Sequence, residues 1–156
     1  MAMSGWQRIR TTVHLFAAGL KRRMVIGSRL VLIDGDRVLL LRHTYMPGWH
    51  FPGGGVEPGE TAAEGAFREG VEETGLAAQA PLTLLGFYLK ENEATNRDYV
   101  AVYVSRSHRR EREFKPGGEI AEIGWFPMAS LPDGIDPGTA RRIAEISGEV
   151  VATDRW

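Results

Sequence analysis

The pattern of apolar and polar positions divides the chain into short, alternating elements. Trp6, Ile9, Val13, Phe16, Leu20 and Met24 recur at spacings of three or four, which puts them on one stripe of an amphipathic helix over residues 1–23. Residues 25–33 then read as a buried strand. Asp34-Gly35-Asp36 signals a tight turn, and residues 37–43 continue as a second apolar strand, so the two form a hairpin. Pro47-Gly48 breaks the chain, Trp49-His50-Phe51 leads into Pro52-Gly53-Gly54-Gly55, and Pro58-Gly59 makes another turn. Residues 61–74 are expected to be helical, with Thr61 as N-cap, Glu64 completing a capping box and Gly75 ending the helix. Gly65 and Gly70 inside this helix each cost roughly 1 kcal/mol against alanine, which suggests close packing on a neighbouring backbone. Residues 82–89 and 99–105 are strand-like, joined by a polar loop. The charged stretch 108–115 reads as an exposed loop, 120–126 as a short strand, and Pro137-Gly138 opens a last helix through about residue 147. Helices and strands that interleave around an initial hairpin argue for an α/β domain with a mixed sheet.

Composition narrows the class. A chain of 156 residues with 43% apolar and 25% charged residues suits one globular domain, here residues 24–156 behind the N-terminal helix. The net charge of −1 gives no electrostatic reason to expect nucleic acid as a partner. With no cysteine there is no disulfide, thiolate metal site or cysteine nucleophile, in keeping with a cytoplasmic setting. No apolar run approaches the roughly 18 residues that span a bilayer. Residues 1–33 contain no acid but hold Arg8, Arg10, Lys21, Arg22, Arg23 and Arg29. A secretory signal is excluded, because Lys21-Arg22-Arg23 stands where a small-residue cleavage site belongs. An organelle-targeting peptide and a membrane-surface helix stay open. The favoured reading is a helix docked on its own domain or on a second subunit, which leaves a homodimer open.

The chemistry concentrates in residues 53–76. On a helix, Glu69, Glu72 and Glu73 stand at i, i+3 and i+4, so their carboxylates share one face. Three like charges there destabilise an isolated helix, and a solvated acidic face is the ordinary reason for such a cluster. Arg68, which can fix a carboxylate through a bidentate pair, the further acid Glu60 and the preceding Gly-rich loop speak against that ordinary reason. A concentrated carboxylate site relieves its repulsion by binding a hard divalent cation through oxygen, Mg²⁺ or Mn²⁺ where no cysteine or histidine cluster competes. Such a cation neutralises a diphosphate and acidifies a bound water. A helix-borne glutamate that does not ligate can then take the proton.

Gly54, Glu60, Arg68-Glu69, Glu72-Glu73 and Gly75-Leu76 stand at the spacing of the Nudix box. The seven identities from Gly54 to Gly75, without Leu76, have a chance probability on the order of 10⁻⁸, taking ~5–7% usage per residue type. In this segment, and in the order of elements from about residue 24 to 147, the chain resembles the Nudix hydrolases. It departs from the family at Gly70, where a bulkier apolar residue is usual. The resemblance implies a Nudix-type α/β/α sandwich that hydrolyses a nucleoside diphosphate linked to another moiety X, with Mg²⁺. It implies metal binding by Glu69, Glu72 and Glu73, orientation of Glu69 by Arg68, a carbonyl ligand from Gly53 and support from Glu60. It also implies a further acid beyond the box, for which Glu119 is the first candidate and Glu122 the second.

Arg42, His43, Tyr45 and Trp49 precede the box, in a region that often reaches the pocket in the family. Trp49 or Tyr45 could stack on a base, and Arg42 and the backbone at Gly54 could approach a phosphate. Trp49 as a core residue and Arg42 as a solvated strand end are equally good readings. Trp125 and Phe126 are expected to pack the sheet, and His14 and His108 to be structural or exposed. Two competitors to a catalytic reading remain. One is a binding or sensing module without turnover, disfavoured because every box acid is present. The other is action on the 5′ end of RNA through the basic N-terminal helix.

Overall fold

The computed structural model describes residues 24–91 and 98–156. The expected helix over residues 1–23 and the reading of His14 lie outside them. Seven strands and two helices follow in the order β1 (Ile26–Asp34), β2 (Arg37–His43), α1 (Ala62–Thr74), β3 (Leu76–Ala78), β4 (Thr83–Lys90), β5 (Asp98–Ser105), β6 (His108–Arg110), β7 (Ile120–Pro127) and α2 (Pro137–Ile146). The main sheet has the order β4-β5-β1-β2-β7 and is mixed: β1 and β5 run parallel, the other neighbours antiparallel.

Strand alternation sends successive side chains of β1 to opposite faces, and each face has its own core. Val31 and Ile33 join Val38, Leu40, Val100 and Val102 on the face covered by Ile143 of α2. Leu30 and Leu32 join Leu39 and Leu76 on the face covered by Ala66 of α1. The two helices therefore flank the sheet. Trp125 packs against the second core and Phe126 against the first, as alternation along β7 requires. No helix among the described residues is long and apolar enough to cross a membrane.

The expected hairpin forms, with a consequence for the site. β1 and β2 pair at Ile33–Val38 and Asp34–Arg37, next to the turn, and then diverge. The loop after β2 fills the gap. The N–H groups of Ser28 and Leu30 donate to the carbonyls of Gly54 and Pro52, each at 2.9 Å, while Leu41 and His50 exchange two bonds at 2.9 Å. The splayed hairpin thus holds the Gly-rich loop against β1, beside the helix that follows.

Helix α1 starts and stops as its sequence dictates. Thr61 accepts from the Glu64 N–H and Glu64 accepts from the Thr61 N–H, a complete capping box, and Gly75 ends the helix at φ 73°. No basic residue lies in its last turn. Arg112 supplies that charge from a distance, donating to the carbonyls of Val71 and Glu72. The segment 108–115 is accordingly more than the exposed loop its mixed charges suggest. His108–Arg110 pairs with Leu76–Ala78 as a second, two-stranded sheet, and the Glu111 N–H donates to the Gly75 carbonyl at 2.9 Å.

Candidate active site

One face of α1, the segment after β6 and the segment before β7 meet at a cleft of about 380 Å³ lined by Glu69, Glu72, Glu73, Arg112, Phe114, Lys115 and Glu119, among others. The three helix acids share it because they are spaced by three and four residues. Glu119 joins them because the Thr44 N–H donates to its carbonyl at 2.9 Å, tying the end of β2 to the start of β7.

Arg68 organises the acids. Its Nε and Nη2 donate to the two oxygens of Glu60 at 3.2 and 2.8 Å. Its Nη1 donates to Glu69 at 2.8 Å and to Glu72 at 3.2 Å, and Nη2 also reaches the Gly55 carbonyl at 3.2 Å. The bidentate partner is thus Glu60 rather than a helix acid. These bonds hold the Glu60 carboxyl below its ordinary value, helped by the Glu57 N–H, and raise the Arg68 guanidinium above its own.

Glu73 lies beyond the reach of Arg68. Its Oε2 accepts from the Gly53 N–H at 2.7 Å. Burial pushes its carboxyl up to about 7; Glu69 and Glu119 add to the rise, while the Gly53 N–H and Arg29 oppose it. Negative charge therefore exceeds its compensation deep in the cleft.

The glycines of the loop have steric causes. A Cβ on Gly53, whose φ is 149°, would lie 2.1 Å from the Ser28 carbonyl oxygen, and one on Gly54 would lie 2.4 Å from the Glu69 carboxylate. Gly54 is glycine because the carboxylate stands where a side chain would be. The carbonyls of Pro52 and Gly54 are taken by β1. Among the described residues no backbone N–H is bonded to the Gly53 carbonyl between them. Gly70 also has a cause: its Cβ would lie 2.4 Å from Leu30 Cδ2, so the close packing is on a side chain and not on the neighbouring backbone that the two helix glycines suggested.

The residues before the box divide. Tyr45 is 67% exposed on the rim of a neighbouring cleft of about 420 Å³, which Arg42 and Trp49 also line. Trp49 is 8% exposed and belongs to the core, edge-on to Phe126 at 4.6 Å. Arg42 pairs with Glu122 at 3.5 Å across β2 and β7, which turns the second-choice acid to a strand pair and leaves Glu119 in the cleft. Sequence reasoning missed Arg29 as a site residue. It shares a face of β1 with Val31 and Ile33. Burial lowers its guanidinium from the ordinary value, against the opposing pull of Glu73, Glu69 and Asp136. A lone charge at an inward position of an apolar strand was the available signal.

Among the described residues no three acid or histidine side chains converge on one point as they stand. Both oxygens of Glu60 and one each of Glu69 and Glu72 are turned onto Arg68, and one of Glu73 onto Gly53. The donor set is nonetheless that of a hard cation: carboxylates in excess of their compensation and a free carbonyl, with no sulfur.

Comparison with known proteins agrees with this geometry. The NUDIX domain model matches residues 24–146. A Mycobacterium tuberculosis protein provisionally named mutator protein MutT4 is 30% identical over 152 residues, covering 94% of this chain and 59% of its own length. The chain thus spans less than two thirds of that relative. The RNA pyrophosphohydrolase of Brucella abortus is 31% identical over 153 residues, covering 86% of this chain and 82% of its own. The crystal structure of a MutT NUDIX hydrolase from Burkholderia pseudomallei superposes with a TM-score of 0.70 at 24% identity, covering 80% of this chain and 98% of its own. Sequence and fold agree over the segment that carries the acids: the chain belongs to the Nudix hydrolase family.

Proposed function

We propose that this chain is a metal-dependent pyrophosphohydrolase that cleaves a phosphoanhydride bond in a nucleoside diphosphate linked to another moiety X. The observation that carries the reading is the convergence of Glu69, Glu72, Glu73 and Glu119 on one cleft. The names of the Brucella and Burkholderia relatives support hydrolysis of this kind. A binding module without turnover has no need of so complete a set of acids.

Glu69, Glu72, Glu73 and the Gly53 carbonyl would hold Mg²⁺ or Mn²⁺, with Glu60 standing behind them through Arg68. When bound, the cation neutralises the diphosphate and acidifies a coordinated water. The chain's own residues do the rest. Arg68 bonds Glu60, Glu69 and Glu72 and fixes their direction. Glu119, on a separate element and with no side-chain partner among the described residues, would take a proton at its carboxylate. Arg29, which Glu73, Glu69 and Asp136 attract, would contact a substrate phosphate. Tyr45 offers a ring on the rim, while Trp49 serves as wall and Arg42 as its neighbour.

The test is hydrolysis of a panel of nucleoside-diphosphate derivatives with Mg²⁺, beside Glu72→Gln and Glu73→Gln. Turnover of a compound that collapses in both variants is expected. A broad panel left intact with Mg²⁺ and with Mn²⁺ would overturn the reading in favour of a binding module.

A further inference from the structure

The wall of the carboxylate cleft has a second side. Arg112 and Phe114 line that cleft and also a neighbouring one of about 570 Å³. The two clefts are opposite in charge. Arg109, Arg110, Arg112 and His108 line the second, with Glu113 as its acid, over a floor that includes Ile123 and Trp125.

The cations of this second cleft are not equivalent. Arg109 is paired with Glu111 at 2.5 Å, and Arg112 is spent on the carbonyls of α1. Arg110 has no ion pair or side-chain hydrogen bond among the described residues. Its position is fixed by the backbone, because β6 pairs Arg110 with Leu76 and His108 with Ala78. Alternation puts the side chains of residues 108 and 110 on one face of this strand. The His108 ring lies 5.0 Å from that of Trp125, so that face looks onto β7, and Arg110 shares it. A guanidinium that lines the same cleft as an aromatic ring, without a carboxylate partner among the described residues, is suited to phosphate recognition.

We infer that this basic cleft is an anion subsite for the far end of X, which selects phosphate-bearing groups over neutral sugars through Arg110. The inference rests on the hydrolase reading for the direction of the substrate, but the subsite itself does not. A ligand whose diphosphate lies among the acids and whose remainder passes Phe114 enters a region of opposite charge, and that favours a remainder that is itself anionic.

Two measurements test it. In the first, tripolyphosphate is titrated into the full-length, metal-free protein by calorimetry. Repulsion keeps this probe from the acids, and Arg110→Ala is expected to weaken its binding by about tenfold, with Arg110→Lys retaining most of it. No binding to the wild type, or equal binding to Arg110→Ala, would overturn the subsite. In the second, kinetics compare a dinucleoside tetraphosphate with a nucleoside diphosphate sugar. Arg110→Ala is expected to raise KM about tenfold for the first, with kcat within about twofold, and to leave the second unchanged. Equal effects on both would overturn the selectivity. Arg110 is exposed and its strand pairing is through backbone, so the variant keeps the fold. If the wild type turns over neither compound, the selectivity for a phosphate-bearing X falls, while the hydrolase reading rests on the broad panel and the calorimetric arm still decides the anion subsite.

Discussion

Each helix among the described residues carries an arginine bonded to a glutamate one turn on, and the two pairs have opposite surroundings. Arg142 of α2 bonds Glu145 at 2.7 Å, with their side chains 0% and 1% exposed. Arg142 also donates to neutral acceptors, the Arg155 carbonyl at 2.8 Å and Thr153 Oγ1 at 3.2 Å, its Nε is left without a partner among the described residues, and its plane covers the Tyr88 ring at 4.0 Å. Glu145 accepts in addition from the Thr153 N–H and the Tyr88 hydroxyl, each at 3.1 Å. One positive charge meets one negative charge, in a dry place. Arg68 of α1 bonds Glu72 at 3.2 Å, but it also serves Glu60 and Glu69, and Glu73 and Glu119 remain outside its reach. A balanced buried pair resists water and ligands alike. A surplus of carboxylates beside an open cleft asks for a cation from outside. The same residue types at nearly the same spacing therefore build a structural clamp in one helix and a binding site in the other, and charge balance is what separates them.

The sharpest way to break this contrast is to neutralise one charge on each side. Glu73→Gln keeps an acceptor for the Gly53 N–H and removes a charge that burial and neighbouring acids disfavour. Activity is expected to fall by roughly 10²–10⁴-fold, while the melting temperature of the metal-free protein holds or rises. Mg²⁺ at saturating concentration should raise the wild-type melting temperature and leave that of the variant nearly unmoved. A melting temperature that drops by many degrees without metal would mean that Glu73 is a structural residue. Arg142→Met should do the reverse. It strands the Glu145 carboxylate, a loss of about 3–5 kcal/mol in denaturant unfolding, and the double variant Arg142→Met/Glu145→Leu should recover most of it. The Arg142 variant is expected to keep near-normal kcat at a temperature where it is folded, since no part of this network touches the cleft.

Only one of the two arginines could be read from the sequence. Arg68 stands in a pattern whose spacing alone puts three acids on one face, and the signals at Thr61, Glu64 and Gly75 fix the helix that displays them. Arg142 and Glu145 look like any solvated pair on an amphipathic helix. Their burial depends on Tyr88 of β4 and on the chain around Thr153 and Arg155, which no local pattern announces. The same reason hides β3 and β6. Three-residue strands have no periodicity to detect, and here the partners lie some thirty residues apart, with arginines where apolar residues would have been the signal. Arg29 was half legible, a charge in an apolar strand whose destination depends on which face the alternation selects. Glu119 could be named as a candidate acid, but only the bond from Thr44 to its carbonyl brings it to the helix.

Gly70 sharpens the contrast on a smaller scale, because it sits between the acids of α1 and the core beneath them. A Cβ there would lie 2.4 Å from Leu30 Cδ2, and Leu30 is fully buried beside Ala66 and Leu76. Intrinsic helix propensity favours alanine over glycine by roughly 1 kcal/mol, whereas forcing a methyl group into a packed core costs about 1–3 kcal/mol. Steric exclusion outweighs propensity, so Gly70→Ala should destabilise the fold by roughly 1–2 kcal/mol in urea unfolding. Because Gly70 follows Glu69 directly, the shift of α1 away from β1 should also be felt as a loss of activity, smaller than that of Glu73→Gln. A companion change, Leu30→Val, removes the methyl reach that Gly70 accommodates and should restore part of both losses. If Gly70→Ala instead stabilises the protein, α1 is held less tightly against the sheet than its contact with Leu30 requires, and the rigid display of carboxylates that distinguishes this helix from α2 would have to come from Arg68 alone.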